Sequence, residues 1–205
     1  MELIIPDCVY KPADDSELLA GEAVNCVKEN NCKAILDMGT GSGIIALTCA
    51  KANPKAKVIG VDINSTAVDC AKNNAELNLV KNCEFFVSDL FSGKKVFKNK
   101  KFDLIMFNPP YLPTSNDEKI KGNLNFAFDG GASGREIIDR FLKEFDKYLA
   151  PGGILLMVDS SLDGTGKTIN RLKKKGFNVE IIASKSFFFE RLSIIQATRS
   201  DLNPS

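Results

Sequence analysis

Ala34-Ile35-Leu36-Asp37-Met38-Gly39-Thr40-Gly41-Ser42-Gly43-Ile44-Ile45-Ala46-Leu47 decides the fold. An apolar strand runs into three glycines at alternate positions and then into an apolar helix, the layout of a nucleotide-binding first βα turn. Glycine lets the backbone approach a ligand closely, and a helix N-terminus presents N–H groups. The spacing is G-x-G-x-G rather than the dinucleotide G-x-G-x-x-G, since Ile44 occupies the third glycine's place, and this counts against a nicotinamide cofactor. A tight turn without a ligand is the competing reading, and the downstream segments weigh against it.

Lys57-Val58-Ile59-Gly60-Val61-Asp62 reads as a second strand ending in an acid. A carboxylate there accepts hydrogen bonds from both hydroxyls of a ribose, so the ligand is expected to carry an adenosine-like sugar. Asn64 then caps a helix with Ala67, Cys70, Ala71 and Ala75 on one face. Phe85 to Leu90 reads as a third strand, and Asp89 at its end can accept from an adenine amino group. Acids at strand ends are also common solvated loop residues, but together these form a constellation.

Phe102-Asp103-Leu104-Ile105-Met106-Phe107 is a buried strand leading into Asn108-Pro109-Pro110-Tyr111. In open α/β sheets, ligands bind at that carboxyl end. The prolines make the loop stiff, rich in carbonyls and poor in donors. The Asn108 carboxamide oxygen and the Pro109 carbonyl can together accept both hydrogens of a planar NH₂ group, and Tyr111 supplies a π-face for stacking. Taken alone, Asn-Pro-Pro reads as a turn breaker.

Outside these motifs, Val9-Tyr10-Lys11-Pro12-Ala13-Asp14-Asp15-Ser16 is a polar entry to a helix over about Ser16 to Lys28, capped by Asp14, Asp15 or Ser16. Ser92 to Lys101 is lysine-rich and expected to be a solvated loop. The irregular stretch from Tyr111 to about Gly134 is long enough to be functional, and is expected to form a substrate-facing lid. A helix then places Ile137, Ile138, Phe141, Leu142, Phe145 and Leu149 on one face and ends at Pro151-Gly152-Gly153, before a fifth strand over Ile154 to Val158. Gly164-Thr165-Gly166-Lys167-Thr168 looks like the end of a P-loop, but Ser161 stands where its first glycine would fall, so it is read as a helix start. Phe177 to Ile182 and Leu192 to Ala197 are expected to pair antiparallel, with Phe187-Phe188-Phe189 at their connection as core or as an exposed pocket wall. Five βα repeats closed by such a pair predict an α/β fold: one domain over 1–205, doubly wound on a mostly parallel seven-stranded sheet.

Composition narrows the chemistry. The 205 residues, 44% of them hydrophobic, can build one substantial core, and Lys+Arg 27 against Asp+Glu 26 leaves a net charge of +1, so no global field draws the chain to nucleic acid or membrane. Without a bilayer-length apolar run or a secretory leader, a cytoplasmic location is expected. Cys8, Cys26, Cys32, Cys49, Cys70 and Cys83 include no C-x-x-C pair and are expected to be buried reduced thiols, with no metal site. The complete lack of histidine removes Ser-His and Cys-His nucleophiles.

The segment Asp37 to Gly43, with Asp62, Asp89 and Asn108-Pro109-Pro110-Tyr111 at these intervals, resembles a class I S-adenosylmethionine-dependent methyltransferase acting on a planar nitrogen, a Rossmann-like fold. Val9 to Ser16 and Phe126 to Arg140, with Gly134-Arg135-Glu136-Ile137-Ile138-Asp139-Arg140, are similar to the short archaeal and eukaryotic branch of the HemK family, which methylates the glutamine of the Gly-Gly-Gln motif in class I release factors. The likeness covers nearly the whole chain. It implies S-adenosylmethionine as cofactor, with Asp37, Gly39, Thr40 and Gly41 around its methionine part, Ser16 close by, Asp62 on the ribose, and Asp89 with the Leu90 backbone on the adenine. It also implies a catalytic loop of Asn108, Pro109 and Tyr111, a release factor as substrate, and a small zinc-binding activator protein over an exposed apolar edge. Phe187-Phe188-Phe189 departs from the family pattern and maps onto no family role. Asn-Pro-Pro-Tyr alone is shared with adenine and guanine N-methyltransferases, so methylation of an exocyclic amine in RNA or DNA is an alternative, though the net charge and the lack of room for a target-recognition domain speak against nucleic acid. Lysine methylation, or a non-enzymatic module binding the same cofactor, is the other alternative.

Overall fold

The computed structural model describes residues 1–110, 134–162 and 164–199. Tyr111 and the expected lid up to residue 133 lie outside the described residues. Seven strands form one sheet: β1 (Ala34–Met38), β2 (Lys57–Asp62), β3 (Cys83–Val87), β4 (Phe102–Phe107), β5 (Leu149–Ser160), β6 (Phe177–Ser186) and β7 (Arg191–Arg199). Their order is β3-β2-β1-β4-β5-β7-β6, with β1 to β5 parallel and β7 antiparallel to both neighbours. This is the doubly wound sheet with an antiparallel terminal pair that the sequence predicts.

The apolar runs of β1, β2 and β4 are buried on both faces, as parallel strands under helices must be. On one face α1 (Asp14–Glu29), α2 (Ile44–Ala52) and α3 (Ser65–Leu77) pack Leu19, Ala23, Val27, Ala46, Cys49 and Ala71 against the sheet. On the other lie α4 (Lys94–Phe97), α5 (Glu136–Glu144) and α6 (Thr165–Lys174), with an aromatic layer centred on Phe141 and Phe145. The ring of Phe107 sits 4.4 Å from that of Phe141, so the residue before Asn108 is clamped in the core. Register brings Met38 level with Val61 and Phe107, which sets the loops after β1, β2 and β4 side by side at one end of the sheet. β1 and β4 flank the crevice in which open α/β sheets take their ligands.

Four expectations are corrected. Helix α1 begins at Asp14 with Ala13 as its N-cap, and no side chain caps it. Asp15 and Ser16 are buried and hydrogen-bonded elsewhere, while the acids of the first turn still oppose the helix dipole. The segment Ser92 to Lys101 is no simple solvated loop, because Phe91 and Phe97 insert into the aromatic layer and draw α4 onto the sheet. Helix α5 stops at Glu144, and Phe145–Lys147 forms a single 3-10 turn. Pro151-Gly152-Gly153 then lies inside β5, where Phe102 pairs with Leu149 but Leu104 with Ile154, an irregularity that absorbs the proline and a left-handed Gly152 (φ +69°). Of the two readings open for Phe187-Phe188-Phe189, the exposed one holds and is no correction: Phe188 and Phe189 are 91% and 84% exposed at the turn between β6 and β7. All six cysteines are free; Cys26, Cys32, Cys49 and Cys70 are buried, whereas Cys8 and Cys83 are partly exposed.

Among the described residues no cluster of three or more histidine, cysteine, aspartate or glutamate side chains could hold a metal, and no helix is long and apolar enough to cross a membrane.

Candidate active site

The turn after β1 is built by its glycines. Gly39 and Gly41 adopt left-handed backbones (φ +67° and +55°), and a Cβ at Gly41 would meet nothing within 4 Å, so the loop leaves room on its open side. Gly43 is left-handed as well (φ +84°), and a Cβ there would lie 3.0 Å from the Ala71 methyl, which shows how closely the loop packs on α3.

Asp37, fully buried at the tip of β1, organises this turn. Its Oδ2 accepts from the Thr40 hydroxyl at 2.7 Å and from the Ala46 N–H at 3.2 Å, whereas Oδ1 has no hydrogen-bond partner among the described residues. Burial pushes its pKa up to about 7, against the opposing effect of those two hydrogen bonds. A buried carboxylate with an unused oxygen suits a cationic group.

Asp62 joins the loops after β1 and β2. Its Oδ2 accepts from the Gly41 N–H and its Oδ1 from the Asn64 N–H, both at 2.9 Å, and burial raises its pKa despite these bonds. Asn64 caps α3 as expected, its Oδ1 accepting from the Thr66 N–H at 3.0 Å. After β3, Leu90 takes a left-handed backbone (φ +48°) that a non-glycine residue adopts only when held. The holding group is Ser88, whose hydroxyl donates to the Leu90 carbonyl at 2.8 Å and accepts from the Gly93 N–H at 3.0 Å. Beside it, Asp89 receives the Arg140 guanidinium at 2.7 Å.

Asn108 leaves the clamped end of β4. Its Nδ2 donates to Ser16 Oγ over a long 3.5 Å, while its Oδ1 is buried and has no partner among the described residues. The Ser16 hydroxyl donates to Asp15 Oδ1 at 3.1 Å, leaving its oxygen lone pairs for the Asn108 amide. Asp15 in turn accepts from the Tyr10 hydroxyl at 3.0 and 2.9 Å. The chain Tyr10–Asp15–Ser16–Asn108 therefore fixes which way the carboxamide faces: donor end engaged, acceptor end available.

Of the residues singled out in the sequence, the described structure gathers Ser16, Asp37, Gly39, Thr40, Gly41, Asp62, Asp89, Leu90, Asn108 and Pro109 at the carboxyl end of the sheet, with Ser16 against Asn108. Asp15, Tyr10, Ser88 and Arg140 belong to the same site but carry no sequence signal of their role. The donors and acceptors fit an adenosine-bearing cation beside a planar nitrogen: an unused buried carboxylate oxygen at Asp37, paired acids after β2 and β3, and an unused amide oxygen at Asn108.

Comparison with known proteins points the same way. The methyltransferase small domain model matches residues 15–189. A Methanocaldococcus jannaschii protein, provisionally named a protein N5-glutamine methyltransferase, is 53% identical over 191 residues, covering 93% of this chain and 92% of that protein. The human methyltransferase HEMK2 is 30% identical over 194 residues, covering 94% and 90%. A release factor glutamine methyltransferase of Thermodesulfovibrio yellowstonii is 31% identical over 200 residues, covering 94% and 70%. Among solved structures, the E. cuniculi Mtq2-Trm112 complex, responsible for methylating the termination factor eRF1, has a chain that matches with a TM-score of 0.69 at 24% identity, over 94% of this chain and 99% of that one.

Proposed function

The chain belongs to the methyltransferase small domain family, in its HemK branch, and is an S-adenosylmethionine-dependent methyltransferase; from that premise we propose that it methylates the side-chain amide nitrogen of the glutamine in the Gly-Gly-Gln motif of a class I release factor. The observation that carries the proposal is Asn108: a carboxamide whose nitrogen is tied to Ser16 and whose buried oxygen has no partner among the described residues.

S-adenosylmethionine, when bound, supplies an electrophilic methyl group. Asp37, Gly39, Thr40 and Gly41 would hold its methionine part, Asp62 its ribose, and Asp89 with the Leu90 backbone its adenine. The remaining task is to make an amide nitrogen attack. Its lone pair is delocalised into the carbonyl, so the nitrogen is a poor nucleophile. Asn108 Oδ1 and the Pro109 carbonyl would accept its two hydrogens, orienting the nitrogen for in-line attack and favouring the positive charge that develops on it. Tyr111 would stack on the planar amide. No base need act before transfer, and the nitrogen releases its surplus proton to water afterwards, which suits a chain without histidine.

The kinship with glutamine methyltransferases supports the substrate, and the E. cuniculi complex supports a partner protein, which the family resemblance implies is a small zinc-binding activator. The chain would act in the cytoplasm as one catalytic domain. Purified protein, alone and with a candidate activator, is incubated with labelled S-adenosylmethionine and a release factor carrying Gly-Gly-Gln or Gly-Gly-Ala. Label on the first alone is the expected result. Label on RNA, DNA or a lysine instead would keep the methyltransferase and overturn the substrate.

A further inference from the structure

The turn between β6 and β7 displays apolar surface that the fold does not use. Phe188 and Phe189 stand almost fully in water, their rings packed edge to face with centroids 4.5 Å apart. Exposed aromatic surface of this kind marks contact sites.

The turn is also braced. The Phe187 N–H donates to the Glu190 carbonyl at 2.6 Å, and the Ser160 hydroxyl donates to the Glu190 carboxylate at 2.6 Å. Ser161 N–H donates to the Arg191 carbonyl while Arg191 N–H donates to Ser161 Oγ, both at 3.0 Å. On the far side Lys185 forms an ion pair with Asp14 at 2.7 Å and lies over the Phe187 ring. Two aromatic rings held on a fixed mount lose little freedom when a partner covers them, the condition for an efficient binding anchor.

The position of the mount selects the occupant. β6 runs parallel to β5, so the turn lies at the end of the sheet that carries the candidate active site. Its braces run directly into that site. Asp14 precedes the Asp15 and Ser16 that hold Asn108, and β5 pairs with β4 up to Phe107, the residue before Asn108. A molecule resting on Phe188 and Phe189 thus stands at the same end of the sheet as Asn108.

We propose that Phe188 and Phe189 are a docking anchor for the body of the protein substrate, and that they insert into an apolar socket beside its methylated loop. The inference rests on the release-factor reading above. It adds that recognition extends beyond the glutamine to the folded surface around it.

The test compares wild-type protein with the double variant Phe188→Ser, Phe189→Ser on the intact release factor. Both side chains are exposed, so the melting temperature and the dissociation constant of S-adenosylmethionine are expected to stay unchanged. KM for the release factor and its dissociation constant from the enzyme should rise about tenfold or more, with kcat within about twofold. An unchanged KM, or a fall in kcat at constant KM, overturns the docking anchor and leaves the proposed reaction standing. A wild-type protein that neither binds nor methylates the release factor overturns both. Sedimentation showing a wild-type dimer that the double variant loses would seat a second copy on the turn, and would likewise overturn the proposal.

Discussion

Replacing Asp37 by Asn should remove a pH dependence of stability that the wild-type fold carries. The Asp37 carboxyl is fully buried at the end of β1, and its pKa rises from 3.8 to about 7, chiefly because burial penalises the charge. The folded carboxyl therefore holds its proton more tightly than the unfolded one. Its stabilising contribution is complete below pH 3.8 and is lost as the pH climbs through 7. Integrating between those two values, stability should fall by about 2 to 3 kcal/mol from about pH 5 to about pH 8. In a chain of this size that corresponds to a fall of roughly 5 to 10 °C in melting temperature. The assay is a series of thermal melts across that range for wild type and Asp37→Asn. Asp159, whose pKa burial also raises, titrates in both proteins and drops out of the difference, whereas the Asp62 charge is one of the causes that raise Asp37, so the difference reports Asp37 together with its coupling to Asp62. Asn cannot titrate, and the variant's profile should be flatter by that amount whatever its absolute stability. Added S-adenosylmethionine should flatten the wild-type profile too, since a cation beside Asp37 favours the carboxylate. Parallel profiles without ligand would refute the argument.

Ser16→Ala releases the nitrogen of the Asn108 carboxamide. The contact is long, at 3.5 Å, so its loss should cost about 0.5 to 1 kcal/mol, a fall in kcat of about two- to fivefold, with cofactor affinity unchanged; a change confined to cofactor affinity would place Ser16 on the cofactor instead. Arg140→Ala frees the Asp89 carboxylate from a half-exposed pair and should weaken S-adenosylhomocysteine binding about two- to fivefold, with a smaller loss for the inosine analogue that lacks the amino group. Equal dissociation constants for wild type and variant would remove Arg140 from the site. Gly60→Ala would put a methyl 2.5 Å from the Phe85 ring and 2.8 Å from Thr40 Oγ1, so calorimetry should find a loss of about 1 to 3 kcal/mol; an unchanged melting temperature would mean that the β2–β3 packing yields without cost.

The strands were the most legible part of the fold. β2 and β4 are short apolar runs between turn residues, and both occupy the ranges their sequence suggests. Periodicity misled where an apolar pattern crossed an element boundary: Phe141, Leu142, Phe145 and Leu149 keep helical spacing, yet Leu149 already belongs to β5. Asp15 and Ser16 have the composition of a helix cap, and their actual partners could not be read because Asn108 lies 92 residues from Ser16. The Arg140–Asp89 pair spans 51 residues and was hidden for the same reason. The glycine turn and its acids were legible because each is a local solution to a local need: close approach, a free helix terminus, an acceptor at a strand end.

The most direct test of the account is to locate the methyl group by mass spectrometry on a release factor treated with wild-type protein or with Asn108→Ala. A methyl on the Gly-Gly-Gln glutamine is expected from the wild type. The variant should transfer it at least roughly a hundredfold more slowly, while its affinity for S-adenosylmethionine is retained. Wild-type rates from Asn108→Ala, or a methyl on any other residue, would contradict the account.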